Sequence, residues 1–487
     1  MRHKIIEIGF GPHAKRVYGP ALEKLGEKFN TGLQLVIDLE DKKKDIVNFF
    51  SKYSKKPDFL FIKSFTGDSL PEYLSSYLSN YVKKKNINGV IISTEPLSHY
   101  SYAKWALDEQ LDILMDKPIT SVNNVVSNMK NANKIETDYR NLLTKYINLQ
   151  KNKKTIFIIN TQRRFHPGFN MVKQLLTEIS LETNCPVTSI SSYHCDGQWR
   201  LPNEIITQNY HPYNSGYGKG SHSGYHFFDI VSQFYKISKI TNKIADEMEI
   251  YSSFFQPRGF LHQLNQNDYE KYFGSEYQNV NKYSDSDLYK MYDNYGEIDL
   301  STIIRLKKEG ECIGNITINL LHNGFAMRNW VKPDADLYKG NGRVKHEYHN
   351  IQQGPFQNIQ IHSYQSKDKH DINTLEDYEL GGNNHFDIYV FRNKNLVKNG
   401  KSLDVIHMSD YKNYDSRNNN HELVAEQVKH KVVAEFLGFI ENKVKKEMIS
   451  SNIDDHLMPV QIMSGVYKSH NKYIRRHNPL VSYKLSI

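Results

Sequence analysis

The sequence predicts a doubly wound parallel α/β sheet followed by an α+β domain with a large, mostly antiparallel open sheet. Three observations carry that prediction. Between residue 4 and about residue 161, short apolar runs alternate with helical patterns, as in βαβ units whose strands are covered on both faces. After residue 160 the apolar runs give way to alternating apolar and polar residues, the pattern of antiparallel strands with one covered face. At 487 residues the chain is also too long for one ordinary domain, so two are expected, 1–155 and 156–487.

In the first half the strands fall at 4–9, 33–38, 59–63, 89–93, 112–115 and 155–160, each a buried-looking run. Helices are predicted at 14–29, 70–85, 98–109 and from 122 towards 149. In the second half, strands are predicted at 186–193, 299–306, 312–321, 343–348, 358–363 and 385–390, and helices at 169–178, 226–235, 422–443 and 459–475. Residues 265–294, rich in Tyr, Asn and Asp, and 410–420 read as insertions or long loops.

Composition narrows the function classes. The net charge of +9 is spread over short lysine runs at 42–44, 83–85 and 151–154 among acidic residues, which reads as solvated surface and not as a nucleic-acid face. Cys185, Cys195 and Cys312 lie far apart with no CxxC pair, against a disulfide framework or a structural zinc site. The N-terminus has too short an apolar run for a signal peptide, and no stretch approaches a membrane span. A soluble cytoplasmic protein is expected, with neither nucleic acid nor membrane as partner.

Gly9-Phe-Gly11-Pro12-His13-Ala14 follows the first strand and opens the first helix. Glycines there allow a tight turn and close backbone approach to a pyrophosphate. Asp38 closes the second strand, where a carboxylate can accept hydrogen bonds from adenosine ribose hydroxyls. Its charge favours NAD over NADP, although Lys42, Lys43 and Lys44 keep NADP open. Thr94, Glu95, Pro96 and His99 follow the fourth strand, at the edge where open α/β sheets bind ligands. An ordinary strand-to-helix turn at Gly9 and Gly11, a solvated strand end at Asp38 and a packed helix cap at His99 are the structural alternatives. Lys117 ends a buried strand, and Pro118 restricts its backbone, a setting that suits a functional lysine.

Four separated stretches, in order, resemble the glucose-fructose oxidoreductase / inositol dehydrogenase (Gfo/Idh/MocA) family. They are the Gly9 to Ala14 turn; Met115-Asp-Lys-Pro118, similar to the family's Glu-Lys-Pro signature with Asp116 for Glu; Asn160-Thr-Gln-Arg-Arg-Phe-His-Pro167; and Gly218-Lys-Gly-Ser-His-Ser-Gly-Tyr-His-Phe-Phe-Asp229. Residues 461–469 resemble the final helix. The resemblance implies hydride transfer between NAD(P) and a hydroxyl-bearing carbon of a sugar, cyclitol or related polyol. Lys117 would stabilise alkoxide charge and His226 would exchange the hydroxyl proton. It also implies association through the outer face of the antiparallel sheet, as a homodimer or homotetramer.

One departure stands out. The family usually places an aspartate four residues before the catalytic histidine, and here that position is His222, which can share a helix face with His226 but carries no permanent negative charge. His222, His226 and Asp229 also admit a metal reading, which the missing intervening glutamate and the family match both disfavour, so no metal is expected. Arg164 is a candidate to hold a substrate hydroxyl or phosphate, with a salt-bridged structural arginine as its alternative. Trp199, Arg200, Tyr210, His211 and Tyr213 precede the glycine-rich loop and suit either a sugar-binding wall or ordinary loop packing. Besides the oxidoreductase, His222 motivates a binding regulator that has lost turnover, and the resemblance admits an NAD-dependent glycosidase.

Overall fold

The computed structural model describes residues 2–196, 198–208, 211–322, 326–327, 345–366, 378–410 and 424–485. Its two compact units are not the contiguous blocks 1–155 and 156–487. The first comprises Met1–Ser121, Ile135–His166 and Val424–Leu457; the second comprises Val122–Lys134, Pro167–Leu423 and Met458–Ile487.

The first unit is built on six parallel strands: β1 (His3–Ile8), β2 (Thr31–Leu39), β3 (Asp58–Ile62), β4 (Gly89–Ile92), β5 (Asp112–Asp116) and β6 (Phe157–Asn160). Their order is β3-β2-β1-β4-β5-β6. The order reverses between β1 and β4, which opens a ligand crevice at the carboxyl ends of those strands. Ile5, Val36, Ile91, Leu114 and Ile158 bury one face of this sheet. The helix Val424–Ile440 covers them, with Val428, Val432, Phe436 and Ile440 at four-residue spacing and Val433 and Leu437 beside them. Gly89 marks the approach, since a Cβ there would lie 2.9 Å from Phe436 Cζ. That helix belongs with the first sheet although it lies in the second half of the sequence. Asn452 Oδ1 accepts hydrogen bonds from Phe157 N at 3.0 Å and Tyr146 Oη at 3.1 Å and ties the returning chain to β6.

Several local boundaries differ from expectation. The helix expected at 14–29 is two, Pro12–Arg16 and Tyr18–Gly26, interrupted at Val17. The long helix starts at Met129, because Asn124 N and Val126 N donate instead to Ser215 and Gly216 carbonyls in the second unit. The helix Lys43–Phe50 was not predicted, since only Ile46 and Phe50 in it are buried.

The second unit holds a nine-stranded sheet of β7 (Ser189–Cys195), β9 (Glu247–Phe255), β10 (Asp299–Lys308), β11 (Glu311–Leu321), β13 (Lys345–Gln353), β14 (Gln357–Gln365), β15 (Asp387–Arg392), β16 (Leu403–His407) and β17 (Val481–Lys484). The two-residue strands β8 (Gln198–Trp199) and β12 (Ala326–Met327) pair separately. The sheet order is β16-β15-β14-β13-β7-β11-β10-β9-β17, and only β7 with β11 runs parallel. Leu300, Thr302, Ile304 and Leu306 of β10 are buried while Ser301, Ile303 and Arg305 are exposed, the predicted one-faced alternation. β9, β16 and β17 escaped prediction; the last two are short edge strands, whereas β9 is a nine-residue strand between β10 and β17. Among the described residues, no helix is long and apolar enough to cross a membrane.

Residues 265–294 are not a long loop. They form the helices Gln266–Phe273, Ser275–Val280 and Asp285–Met291. The first and third are started by reciprocal capping boxes, Asn265 with Asp268 and Ser284 with Asp287. Three of the segment's tyrosines are core residues: Tyr269, Tyr277 and Tyr292 pack, together with Leu288, with Leu201, Ile205 and Phe260 in a satellite cluster, while Tyr272 and Tyr289 are exposed. Beyond Asp410, the insertion expected at 410–420 lies outside the described residues.

Candidate active site

In the first unit the glycine turn adopts the geometry its residues demand. Gly9 has φ +85°, and a Cβ there would lie 2.7 Å from Thr94 N and 2.8 Å from the Ser93 carbonyl. No residue with a side chain fits. Gly11 differs: it caps the Pro12–Arg16 helix at φ −74°, and a Cβ would meet nothing within 4 Å. The space above it is open, as a pyrophosphate approaching the helix start requires. Pro12 occupies the first helical position, where its missing N–H removes one potential donor. Asp38 locks the turn from β2: its Oδ2 accepts from Phe10 N at 2.6 Å and its Oδ1 from Leu39 N at 2.7 Å. Each oxygen keeps a second lone pair for a ribose hydroxyl. Thr94 and Pro96 are half-buried and Glu95 exposed just past β4.

The Gly11→Ala substitution tests this cradle without straining the backbone. Unfolding stability should stay within about 0.5 kcal/mol of the parent, while fluorescence titration should show NADH affinity lowered about tenfold. Unchanged affinity would place the pyrophosphate elsewhere.

Lys117 is half-buried at the carboxyl end of β5, joined to Pro118 by a cis peptide. Its neighbour Asp116 turns inward, accepting from Tyr18 Oη and from Asn160 Nδ2 at 2.9 Å, with His13 Nε2 at 3.7 Å. Burial would raise the Asp116 carboxyl, but His13, the Tyr18 and Asn160 hydrogen bonds and Lys117 outweigh it and hold it below its ordinary range. Burial holds His13 down to about 4, so that imidazole is neutral at pH 7. Sequence reasoning missed Glu7, which is fully buried on β1 and pushed well up, first by burial and then by Asp116.

Two proposed ligand contacts are corrected. His99 is 0% exposed, with Nδ1 2.8 Å from Pro118 O and Nε2 3.1 Å from Thr94 O. Burial lowers its pKa. It braces the Lys117-Pro118 turn against the loop after β4 and does not face a ligand. Arg164 is buried in the first unit, where Nη1 donates to Asp455 Oδ2 at 2.6 Å and to Ser450 O at 3.1 Å. It is the salt-bridged structural arginine. Asp455→Ala removes the carboxylate that faces that guanidinium, and should lower stability by about 2 kcal/mol in urea unfolding, a discounted value because Asp455 is 43% exposed. No loss of stability would contradict this structural role.

In the second unit the glycine-rich loop leads into a π-turn, Gly220–Gly224, and then the helix Tyr225–Lys236. Such turns inside helices are frequent at functional sites. His222 lies in the π-turn and is 4% exposed, its ring 4.5 Å from that of His211, 5.3 Å from Tyr217 and 5.7 Å from Tyr213. His226 is half-buried one turn further on, whereas Asp229 is fully buried. Among the described residues, no group of three or more His, Cys, Asp or Glu is placed to hold a metal.

The loop is glycine-rich because it crosses the backbone entering β10. A Cβ on Gly218 would lie 1.9 Å from Glu297 O, and one on Gly296 2.0 Å from Tyr217 O. Glu297 is fully buried beneath the loop, with Oε1 accepting from Gly220 N at 2.7 Å and Tyr467 Oη at 2.8 Å. Burial pushes its acid up to about 7, against the lowering effect of those hydrogen bonds.

Because folding raises this pKa, the native state holds the proton that the unfolded chain loses above pH 4.5. The Glu297 contribution to stability therefore falls as pH rises from about 4.5 to about 7 and levels off above that. Glu297→Gln should remove this slope and stabilise the protein at pH 8 by on the order of 2 kcal/mol. Urea unfolding at pH 5 and pH 8 checks this, and an unchanged slope would contradict the assignment.

The expected sugar-binding wall does not stand as one surface. Tyr213 is 1% exposed and its Oη meets His322 Nδ1, so it is a core residue of the loop. Arg200 is buried too. His211 packs on His222, while Tyr210 and the Trp199 side chain lie outside the described residues. Also missed was Lys219, a fully buried lysine between two loop glycines.

A parallel sheet in this order, with a glycine turn after β1 and an acid ending β2, defines a dinucleotide-binding Rossmann unit. Residues 17–141 match the GFO_IDH_MocA family model, described as an oxidoreductase family with an NAD-binding Rossmann fold. Over this unit the chain is similar to the Gfo/Idh/MocA oxidoreductase family.

Solved structures share the fold over nearly the whole length. An oxidoreductase from Agrobacterium radiobacter in complex with NAD+, L-tartaric acid and magnesium aligns at TM-score 0.56 and 10% identity, covering 99% of this chain and 98% of that one. A putative myo-inositol dehydrogenase from Sinorhizobium meliloti 1021 gives 0.52 and 10%, covering 99% and 100%. The transcriptional regulator Gal80p from Kluyveromyces lactis gives 0.54 and 13%, covering 99% and 94%. No curated protein matches the chain.

Proposed function

We propose that the protein is an NAD-dependent oxidoreductase acting at a hydroxyl- or keto-bearing carbon of a sugar, cyclitol or sugar derivative. The observation that carries this reading is the Gly9 to Gly11 cradle, locked by Asp38 at the reversal of strand order and lying in a unit of an NAD-binding oxidoreductase family. The nicotinamide dinucleotide, when bound, supplies or accepts the hydride. Gly9 and Gly11 admit the pyrophosphate, Asp38 accepts from the adenosine ribose, and Thr94, Glu95 and Pro96 border the crevice. Asp38 favours NAD over NADP.

In this reading Lys117 stabilises the charge that develops on the substrate oxygen. His226 takes the hydroxyl proton in oxidation and returns it in reduction. His222 orients the substrate where the family usually has a carboxylate. The protein is proposed to work in the cytoplasm as a homodimer or homotetramer. A second reading, a dinucleotide-binding regulator without turnover, is favoured by His222 alone, since an imidazole supplies no permanent negative charge there.

The test is to titrate the purified chain with NADH and NADPH by fluorescence, then follow NADH absorbance across polyols, sugars and sugar nucleotides. Binding with turnover on a polyol or sugar is the expected result. NADH binding without turnover on any of them favours the regulator, and no binding of either dinucleotide overturns both readings.

A further inference from the structure

The π-turn that carries His222 is held by two side chains from distant parts of the chain. The N–H groups that open a helix have no partner within it and must find one outside. Gly220 N donates to Glu297 Oε1 at 2.7 Å, and Ser221 N donates to Tyr467 Oη at 3.1 Å. These partners lie 77 and 246 residues away in sequence, Glu297 at the entry to β10 and Tyr467 on the final helix, Leu457–Ile474. Gly220 leaves them room, since a Cβ there would lie 3.1 Å from both Glu297 Oε1 and Tyr467 Oη.

The two side chains are also joined to each other. Tyr467 Oη donates to Glu297 Oε1 at 2.8 Å, so it accepts from Ser221 Oγ at 2.9 Å as well as from Ser221 N. Its one proton and two lone pairs are then all committed, as are both lone pairs of Glu297 Oε1. Glu297 Oε2, by contrast, is buried and has no hydrogen-bond partner among the described residues. A neutral acid tolerates that position better than a carboxylate, whose second oxygen would be an unpaired buried charge. The ionisable side chains around it are Tyr467 from the final helix, Tyr213, Tyr217 and Lys219 from the glycine-rich loop, and Asp299 from its own strand. Lys219 is paired with Asp196 and Asp299 accepts from His322 N. Burial pushes the Tyr467 and Tyr213 phenols well up, so both stay neutral where Glu297 titrates, at about 7.

Proton transfer at His226 needs its imidazole within hydrogen-bond reach of the substrate hydroxyl, and a displacement of about 1 Å can cost about 10²-fold in rate. Ser221 N and His222 N also donate to Gly218 O, at 3.0 and 2.9 Å, so the capped groups are continuous with the turn that leads to His226. We propose that Glu297 and Tyr467 are positioning residues of the oxidation, fixing the π-turn so that His222 and His226 meet the substrate. The proposal rests on the oxidoreductase reading. The neutral acid is the form that fits the site, and its ionisation loosens the turn. No contact with the reacting carbon is assigned to either residue.

The test uses the full chain and a polyol that the wild type oxidises with NAD+. Wild-type kcat should fall at alkaline pH as Glu297 ionises, and Glu297→Ala should lower kcat about tenfold throughout. Glu297→Gln, whose amide oxygen still accepts both hydrogen bonds and does not ionise, should restore kcat and remove the alkaline fall. Tyr467→Phe should lower kcat about tenfold with NADH affinity unchanged. It should also speed deuterium uptake of the peptide 218–225, read by mass spectrometry. A purely structural role would lower stability and leave the alkaline limb of Glu297→Gln where it is in the wild type. That unmoved limb overturns the proposal even if Glu297→Ala fails to fold, and so does unchanged uptake in Tyr467→Phe. A wild type that binds NADH and oxidises nothing sinks the oxidoreductase reading and the proposal with it, whereas turnover with an unmoved limb sinks the proposal alone.

Discussion

Lys117→Ala should lower kcat by about 10²–10³, the usual cost of removing one preorganised group that stabilises developing oxyanion charge. NADH affinity should stay within a few-fold of wild type, because the cradle at Gly9, Gly11 and Asp38 is formed by other segments. The side chain is expected to act on chemistry because its surroundings are built to hold it. Asp116 beside it is occupied by Tyr18 and Asn160, and the buried His99 ring lies within hydrogen-bonding distance of the Pro118 and Thr94 carbonyls. Steady-state kinetics on the substrate found by the polyol screen, paired with fluorescence titration, measures both quantities. Equal loss of kcat and NADH affinity would make Lys117 a cofactor anchor and remove its assigned role.

Gly218→Ala should lower stability by about 3 kcal/mol or more. The added methyl would lie 1.9 Å from Glu297 O and 2.7 Å from Glu297 N and C, all backbone atoms with no rotamer to yield. Relief requires pulling the loop from β10, which also breaks the Lys219 N to Glu297 O hydrogen bond of 3.0 Å. Gly220→Ala is the control: its Cβ contacts begin at 3.1 Å and involve side-chain atoms of Glu297, Tyr467 and Leu300. It should cost under about 1.5 kcal/mol. Equal unfolding midpoints for the two variants would mean that the loop does not cross β10 this closely.

The parallel sheet was legible because its strands are buried on both faces, so runs such as Gly89–Ile92 stand out without any knowledge of their neighbours. The interleaving of units was not. It depends on contacts such as Phe157 N to Asn452 Oδ1, separated by 295 residues, which leave no local pattern. The helix Val424–Ile440 was predicted as a helix, but its apolar face does not say which sheet it covers.

The site was legible where chemistry dictates backbone shape. Gly9 and Gly218 are glycines because nothing larger fits, and their spacing announces the turns. It was illegible where one residue type serves two ends: Arg164 and Tyr213 read as ligand contacts and prove to be buried anchors. The π-turn around His222 has no sequence period of its own, and Lys219 between glycines looks like a solvated loop residue. The capping spacings at Asn265 and Ser284 were signals that could have revealed the helical insertion.

Fluorescence titration of the purified full chain with NADH, with NADPH in parallel, tests the central claim most directly. Saturable NADH binding, weaker binding of NADPH and about tenfold weaker NADH binding by Gly11→Ala are the predicted results. A chain that binds neither dinucleotide would contradict the account at its base, whatever the fold it shares.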